Sequence, residues 1–258
     1  MPNPLTLTLH ALGAETASGS TLPIDLGLRN ALRCTLDVEA ITGAGAKLTV
    51  GIETSPTGTG GWKRVDSALT LTVATSSELT VGTLQRYARL VWTIEGTSPS
   101  IEFAFFAEAH QVYARLRDYE SVGISKEALA RVKVHDKIEA LIAASDIADR
   151  YLCRQFTMPL LAWSSDLRRM VIHIAVYDLM AVRGFQPEGA DELIVKRYDD
   201  AVASLREIGN DKACLPGVVD SSTPPTVSSD GDYDVAEVQP GVFFGAYPYG
   251  ADAQRDAD

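Results

Sequence analysis

The sequence predicts an α+β protein of two domains. These are an antiparallel β-sandwich over residues 1–110 and a bundle of about four helices over residues 111–217, followed by an extended acidic arm over residues 218–258. Three observations carry this. Apolar and polar residues alternate in the first zone, which suits strands with one buried face. Apolar residues recur every three or four positions in the second, which suits helices. The third has no period and holds most of the negative charge. Of a net charge of −11, the three zones carry −3, −1 and −7.

The strands come first. Leu5-Thr-Leu-Thr-Leu9 alternates, and so do Leu36-Asp-Val-Glu-Ala, Leu48-Thr-Val-Gly-Ile-Glu, Leu69-Thr-Leu-Thr-Val, Leu90-Val-Trp-Thr-Ile-Glu and Ile101-Glu-Phe-Ala-Phe-Phe. Gly43-Ala-Gly45, Ser55-Pro-Thr-Gly-Thr-Gly-Gly61 and Gly96-Thr-Ser-Pro99 read as the turns between them. Short strands with such punctuation make an antiparallel sandwich.

The helices follow. Ser125-Lys-Glu-Ala-Leu reads as a cap and a short helix. A longer one places Val134, Ile138, Leu141, Ile142, Ala148 and Leu152 near one face, and Phe156-Thr-Met-Pro159 stops it. Ser164-Ser-Asp starts a third, apolar nearly all round from Met170 to Val182 and therefore enclosed; Gly184 ends it. Pro187 opens a fourth, with Ile194, Tyr198, Ala201, Val202, Leu205 and Ile208 on its face and Gly209-Asn at its close.

Beyond the Ser/Thr/Pro linker at residues 221–231, Val242, Phe243, Phe244, Tyr247 and Tyr249 gather on an acidic segment broken by Gly and Pro. Such a segment does not fold alone. It is expected to be a partner-docking arm, with the aromatic side chains as anchors and a basic or neutral surface as its landing site.

Several function classes drop out. An acidic chain is a poor general nucleic-acid binder. No apolar run reaches the length of a membrane span, and the start, Met1-Pro-Asn-Pro, lacks the basic and apolar regions of a secretory signal. Cys34, Cys153 and Cys214 are odd in number and far apart, so each is read as a small buried apolar residue in a reducing compartment. No metal or cofactor is expected. His10, His110, His135 and His173 have no ligand spacing, and His173 reads as a satisfied core histidine. Asp146 and Asp149 resemble a catalytic carboxylate pair but read as a solvated helix face. Thr57-Gly-Thr-Gly-Gly61 leads into Trp62 and a strand, so it reads as a hairpin turn and not a phosphate loop. An enzyme is not expected.

The helical zone resembles a known family. Its long helix ends in Ile147-Ala-Asp-Arg-Tyr-Leu-Cys-Arg-Gln-Phe-Thr-Met-Pro-Leu, the apolar helix carries Ala175-Val-Tyr-Asp-Leu, and the last helix reads Val195-Lys-Arg-Tyr-Asp-Asp-Ala-Val-Ala-Ser-Leu-Arg-Glu-Ile-Gly. This is similar to the head–tail connector, or adaptor, proteins of tailed bacteriophages of the Mu-like type. Tyr151, Leu152, Pro159 and Leu160 match the family's first stretch, with Gln155 and Phe156 standing where it has Arg-Tyr. Tyr177 falls in the apolar helix, and Arg197, Tyr198, Ala201, Leu205, Gly209, Lys212 and Leu215 match the last stretch, with two residues inserted before Lys212. The resemblance covers residues 120–217 and consists of packing residues.

The resemblance implies a structural virion protein at the phage neck, made in the host bacterial cytoplasm. Such adaptors form a homo-oligomeric ring, usually twelvefold, beneath the portal protein. They bridge it to stopper or tail proteins, and genomic DNA crosses the lumen without sequence-specific binding. No membrane is involved. A helical zone of net charge −1 fits a conduit that does not grip phosphates.

The sandwich carries a second resemblance. Gly60-Gly-Trp-Lys-Arg-Val and Arg86-Tyr-Ala-Arg-Leu-Val-Trp are similar to discoidin-type jelly rolls, where such a Trp and such a strand recur. This implies a jelly-roll-like sandwich, with Trp62 as a core residue or a surface stacking platform. The alternative function is accordingly a glycan- or receptor-binding module mounted on a helical oligomerisation domain.

Overall fold

In a computed structural model, the described residues are 4–122, 129, 132–183 and 192–222. The expected α+β architecture is present: a large antiparallel sheet folded into a sandwich, then, among the described residues, three α-helices. The strands are β1 (Leu5–Glu15), β2 (Gly19–Ser20), β3 (Ile24–Asp25), β4 (Ala31–Ser55), β5 (Lys63–Leu71), β6 (Ser76–Gly82) and β7 (Tyr87–His110). The helices are α1 (Val134–Leu152), α2 (Ser165–Arg183) and α3 (Glu192–Gly209), with a 3-10 turn at Leu116–Val122 before them. A small β8 (Leu160–Ala162) pairs with β9 (Val219–Asp220). The expected helix at Ser125, the stop at Gly184, the start at Pro187 and the arm anchors Val242 to Tyr249 lie outside the described residues.

Two long strands build the sandwich. β4 and β7 pair antiparallel from Ala31↔His110 to Ser55↔Tyr87. At the Ala31 end β6 joins β4 and β1 joins β7; at the other end β5 joins β4, while β2 and β3 join β7. Leu32, Cys34, Leu36, Leu48, Val50, Ile52, Leu90, Ile101, Phe103 and Phe105 form one buried cluster, so the two halves fold face to face.

Two expected turns are not turns. Gly43-Ala-Gly45 lies inside β4 and Gly96-Thr-Ser-Pro99 inside β7, facing each other through Ala44↔Thr97. Each strand takes up a register shift there and bends without ending. Gly43 (φ 105°) and Gly96 (φ 127°) occupy backbone conformations that a side chain resists, and a Cβ on either would come within 3 Å of the opposite strand's backbone. The expected turn at Ser55–Gly61 does join two strands, β4 and β5.

The helices share a second core. Ile138, Leu141, Ile142, Ala148 and Leu152 of α1 are buried, whereas Val134, expected on that face, is exposed at the first position of the helix. α2 is enclosed as expected, with Val171, Ile172, Ile174, Ala175, Val176, Leu179 and Met180 buried. α3 contributes Ala201, Leu205 and Ile208, with Ile194, Tyr198 and Val202 packed alongside. Ala31 at the start of β4 belongs to this helical core, and Ile138 of α1 packs onto Gly82 of β6. Sheet and helices therefore meet at a built seam.

Candidate functional site at the seam between sheet and helices

The chain passes from sheet to helices through His110-Gln-Val-Tyr113, and each of these four residues is held. Val112 is clasped by Asn30, which donates from Nδ2 to the carbonyl at 2.9 Å and accepts the Val112 N–H at 2.8 Å. Gln111 does the same for Leu160, donating to its carbonyl at 2.7 Å and accepting its N–H at 3.0 Å. The Tyr113 N–H donates to Ser145 Oγ at 3.3 Å, its carbonyl accepts from the Trp163 indole at 2.8 Å, and its hydroxyl donates to Asp149. His110 Nδ1 lies 3.3 Å from Asp146 Oδ1. A segment clasped by this many hydrogen bonds joins the two parts rigidly, and the buried His110 Nε2 is left without a hydrogen-bond partner.

Ionic contacts reinforce the seam two turns earlier on α1. Arg33 of β4 donates to Glu139 from Nη2 at 2.7 Å and from Nε at 3.2 Å, and reaches Glu108 at 3.6 Å. Thr80 of β6 donates to the same Glu139. Burial alone would raise the Glu139 carboxyl, but the hydrogen bonds from Arg33 and Thr80 hold it below the usual range.

The Asp146/Asp149 pair is only in part the expected solvated face, since Asp146 keeps 40% of its side chain exposed. Asp149 is buried, and Asp146 leans on His110. Three residues apart, they share a side of α1, and that side is packed against the end of β7. They line a cavity of about 240 Å³ with Pro4, Arg29, Ala109, His110, Gln111, Met158 and Pro159. Burial pushes Asp149 up to about 7; the Tyr113 hydroxyl and His110 oppose that rise, and the Asp146 carboxylate adds to it.

The other marked residues are dispersed. His10 stacks on Phe103, with ring centroids 4.3 Å apart, and its Nε2 lies 3.2 Å from Glu15 Oε1. His173 is half-buried and held below its usual range by burial, then by Arg197 and Arg169. Of the cysteines, expected buried, only Cys34 is; Cys153 and Cys214 are exposed because they sit past the ends of α1 and α3. Trp62 is half-buried at the sandwich surface, with the Arg89 guanidinium 4.3 Å over its ring, and Glu53 grips Arg89 at 2.6 and 2.9 Å.

The family-pattern residues cluster where α1, α2 and α3 meet. Leu152, Leu160, Ala201 and Leu205 are buried in the helical core, and Tyr151 packs against it. Tyr177 stacks on Tyr198 at 4.1 Å, the Arg197 charge acts on His173, and Pro159 lines the seam cavity. Sequence reasoning missed Asn30, Arg33, Gln111, Tyr113 and Glu139, whose partners lie up to 106 residues away.

Residues 106–233 match the family model described as Bacteriophage Mu, Gp36. That span opens in the last residues of β7 and takes in residues 110–113 and the three described helices, whereas Asn30, Arg33 and Thr80 on the sheet side of the seam lie outside it. The match supports a bacteriophage structural protein and a virion component. No curated protein matches the chain. Among solved structures, the PBSX exported protein XepA is 18% identical over 41% of this chain and 36% of its own, with a TM-score of 0.32, so the chain spans about a third of XepA. A structure described under Bacillus endospore appendages that form disulfide-linked pili is 15% identical over 41% of this chain and 88% of its own (TM-score 0.28). The Yersinia pseudotuberculosis-derived mitogen is 15% identical over 42% and 87% (TM-score 0.27). Among the described residues no helix is long and apolar enough to cross a membrane.

Proposed function

We propose that the protein is a head-to-tail adaptor of a tailed phage, assembling as a ring of about a dozen copies beneath the portal and joining it to stopper or tail proteins around the DNA channel. One observation carries this reading: the span matched by the phage family model is the helical part, and the residues of the adaptor-like pattern form the contacts that hold its three helices together. The near-neutral charge of residues 111–217 suits a lumen that DNA slides through. The sandwich is then a mounted addition, and residues 218–258 carry the arm that docks to a neighbouring ring. Light scattering and electron microscopy of the purified chain test this. A closed ring is expected, and density for it at the neck of the virion; a monomer at micromolar concentration that is absent from virion necks overturns it.

A second reading has its own observation. Trp62 is braced from one side by Arg89, which Glu53 fixes in turn, and a ring held this way is preorganised for stacking on a sugar. Retention on immobilised glycans, lost in Trp62→Ala, favours the binding module over the adaptor.

A further inference from the structure

The seam buries a carboxyl that makes no ion pair among the described residues. Asp149 is 8% exposed, and the Tyr113 hydroxyl is its hydrogen-bond partner. The polar and charged groups around it come from every neighbouring element. Asp146 stands one turn earlier on α1, His110 ends β7, Gln111 and Tyr113 follow it, and Arg29 precedes β4. His110 turns Nδ1 toward Asp146 at 3.3 Å and Nε2 toward Glu108 at 3.8 Å. Arg29 lines the cavity without an ion pair among the described residues. The remaining walls, Pro4, Ala109, Met158 and Pro159, are apolar.

We propose that this joint is proton-gated: protonation of Asp149 closes the sheet–helix seam, and its ionisation draws water into the cavity and loosens the grip on residues 110–113. An ionised carboxylate in this position loses its hydration, faces a second carboxylate, and gains a single neutral donor. The hydrogen-bond chain has a different direction in the two states. With Asp149 protonated, its O–H donates to the Tyr113 oxygen, and the Tyr113 hydrogen is free to turn to Gln111 Oε1 at 3.5 Å, the oxygen that also accepts the Leu160 N–H. With Asp149 ionised, Tyr113 must donate to the carboxylate, and its link to Gln111 lapses. The folded carboxyl titrates at about 7, well above an ordinary aspartate, so both states are populated near neutrality. The gate does not depend on the ring reading.

Hydrogen exchange of the full chain across pH tests the gate, after correction for intrinsic exchange. The Val112 and Tyr113 amides, held by Asn30 and Ser145, should lose about tenfold in protection between about pH 6 and pH 8, as the closed, protonated state is depleted. Asp149→Asn should abolish the transition. Tyr113→Phe removes a donor that favours the ionised form and should move the midpoint up; Asp146→Asn removes the like charge and should move it down. These two shifts decide the matter even where Asp149→Asn folds poorly. A transition that persists unchanged in Asp149→Asn, or midpoints unmoved in the other two variants, overturns the proposal.

Discussion

Asn30 holds both backbone polar atoms of Val112, a residue 82 positions away, and so ties the loop before β4 to the first residues of the helical part. Both residues are buried, so a truncated side chain leaves the Val112 N–H and carbonyl without partners and with little access to water. Each orphaned group costs roughly 1–3 kcal/mol. Asn30→Ala should therefore lower unfolding stability by about 2–4 kcal/mol, measured in urea. A change below about 0.5 kcal/mol, the scale of a neutral surface substitution, refutes the clasp.

Gly209 closes α3 against α1, where a Cβ would stand 2.7 Å from the Tyr151 carbonyl oxygen. In a free helix, Gly to Ala gains up to about 1 kcal/mol. Here the neighbour is backbone, which cannot swing aside, and overpacking of this kind costs about 1–3 kcal/mol. Gly209→Ala should lower the melting temperature; a rise would mean that the helices separate easily.

Two carboxyls of the seam, Glu139 and Asp149, are shifted in opposite senses. Glu139 is held low by Arg33 and Thr80, so its contribution is present above the unfolded value and is lost as pH falls through the folded one. Asp149 is raised to about 7, so stability declines as pH climbs from the unfolded value toward 7. The linkage amounts to roughly 1.4 kcal/mol for each unit of difference. Stability should peak at mildly acid pH, and Asp149→Asn should remove the decline on the neutral side while leaving the acid limb in place. A profile that rises steadily from acid to neutral contradicts this.

Local periodicity made the two layers legible, because strands and helices write their burial into residues two or three to four apart. It could not show that Gly43 lies against Ser98 and Pro99, and Gly96 against Gly45 and Ala46, in continuous strands, since a bulge and a turn use the same residue types. Nor could it show the seam. Asp149 looks like any exposed helical aspartate until the end of β7 is laid against it, and Asn30, Arg33 and Glu139 gain meaning only from partners 82 or 106 positions distant. Trp62 was open to two readings, core or platform, and its half-burial under Arg89 matches neither in full.

The arm prediction depends on where the chain is cut. Val219 and Asp220 pair with β8. Asp220 accepts the Thr157 N–H at 2.8 Å and the Ser222 hydroxyl at 2.7 Å, and the Ser221 N–H donates to the Thr157 carbonyl. A truncation after Gly217 would strip these contacts and confuse loss of folding with loss of docking. Truncation after Ser222 leaves them intact and removes residues 223–258, which hold seven acidic residues, one basic residue and the aromatic anchors. If the arm carries partner affinity, the truncated chain should melt within about 2 °C of the full one, since no described contact of the core is lost. It should still assemble into the proposed ring. In a phage lacking the native copy, it should fail to join filled heads to tails, and heads should leak DNA. Substituting Phe243, Phe244 and Tyr247 together by Ser in the full chain should reproduce the defect, because anchors of this kind hold most of the affinity of an extended segment. Full complementation by the truncated chain would remove the arm from the proposal and leave docking to the ring faces themselves.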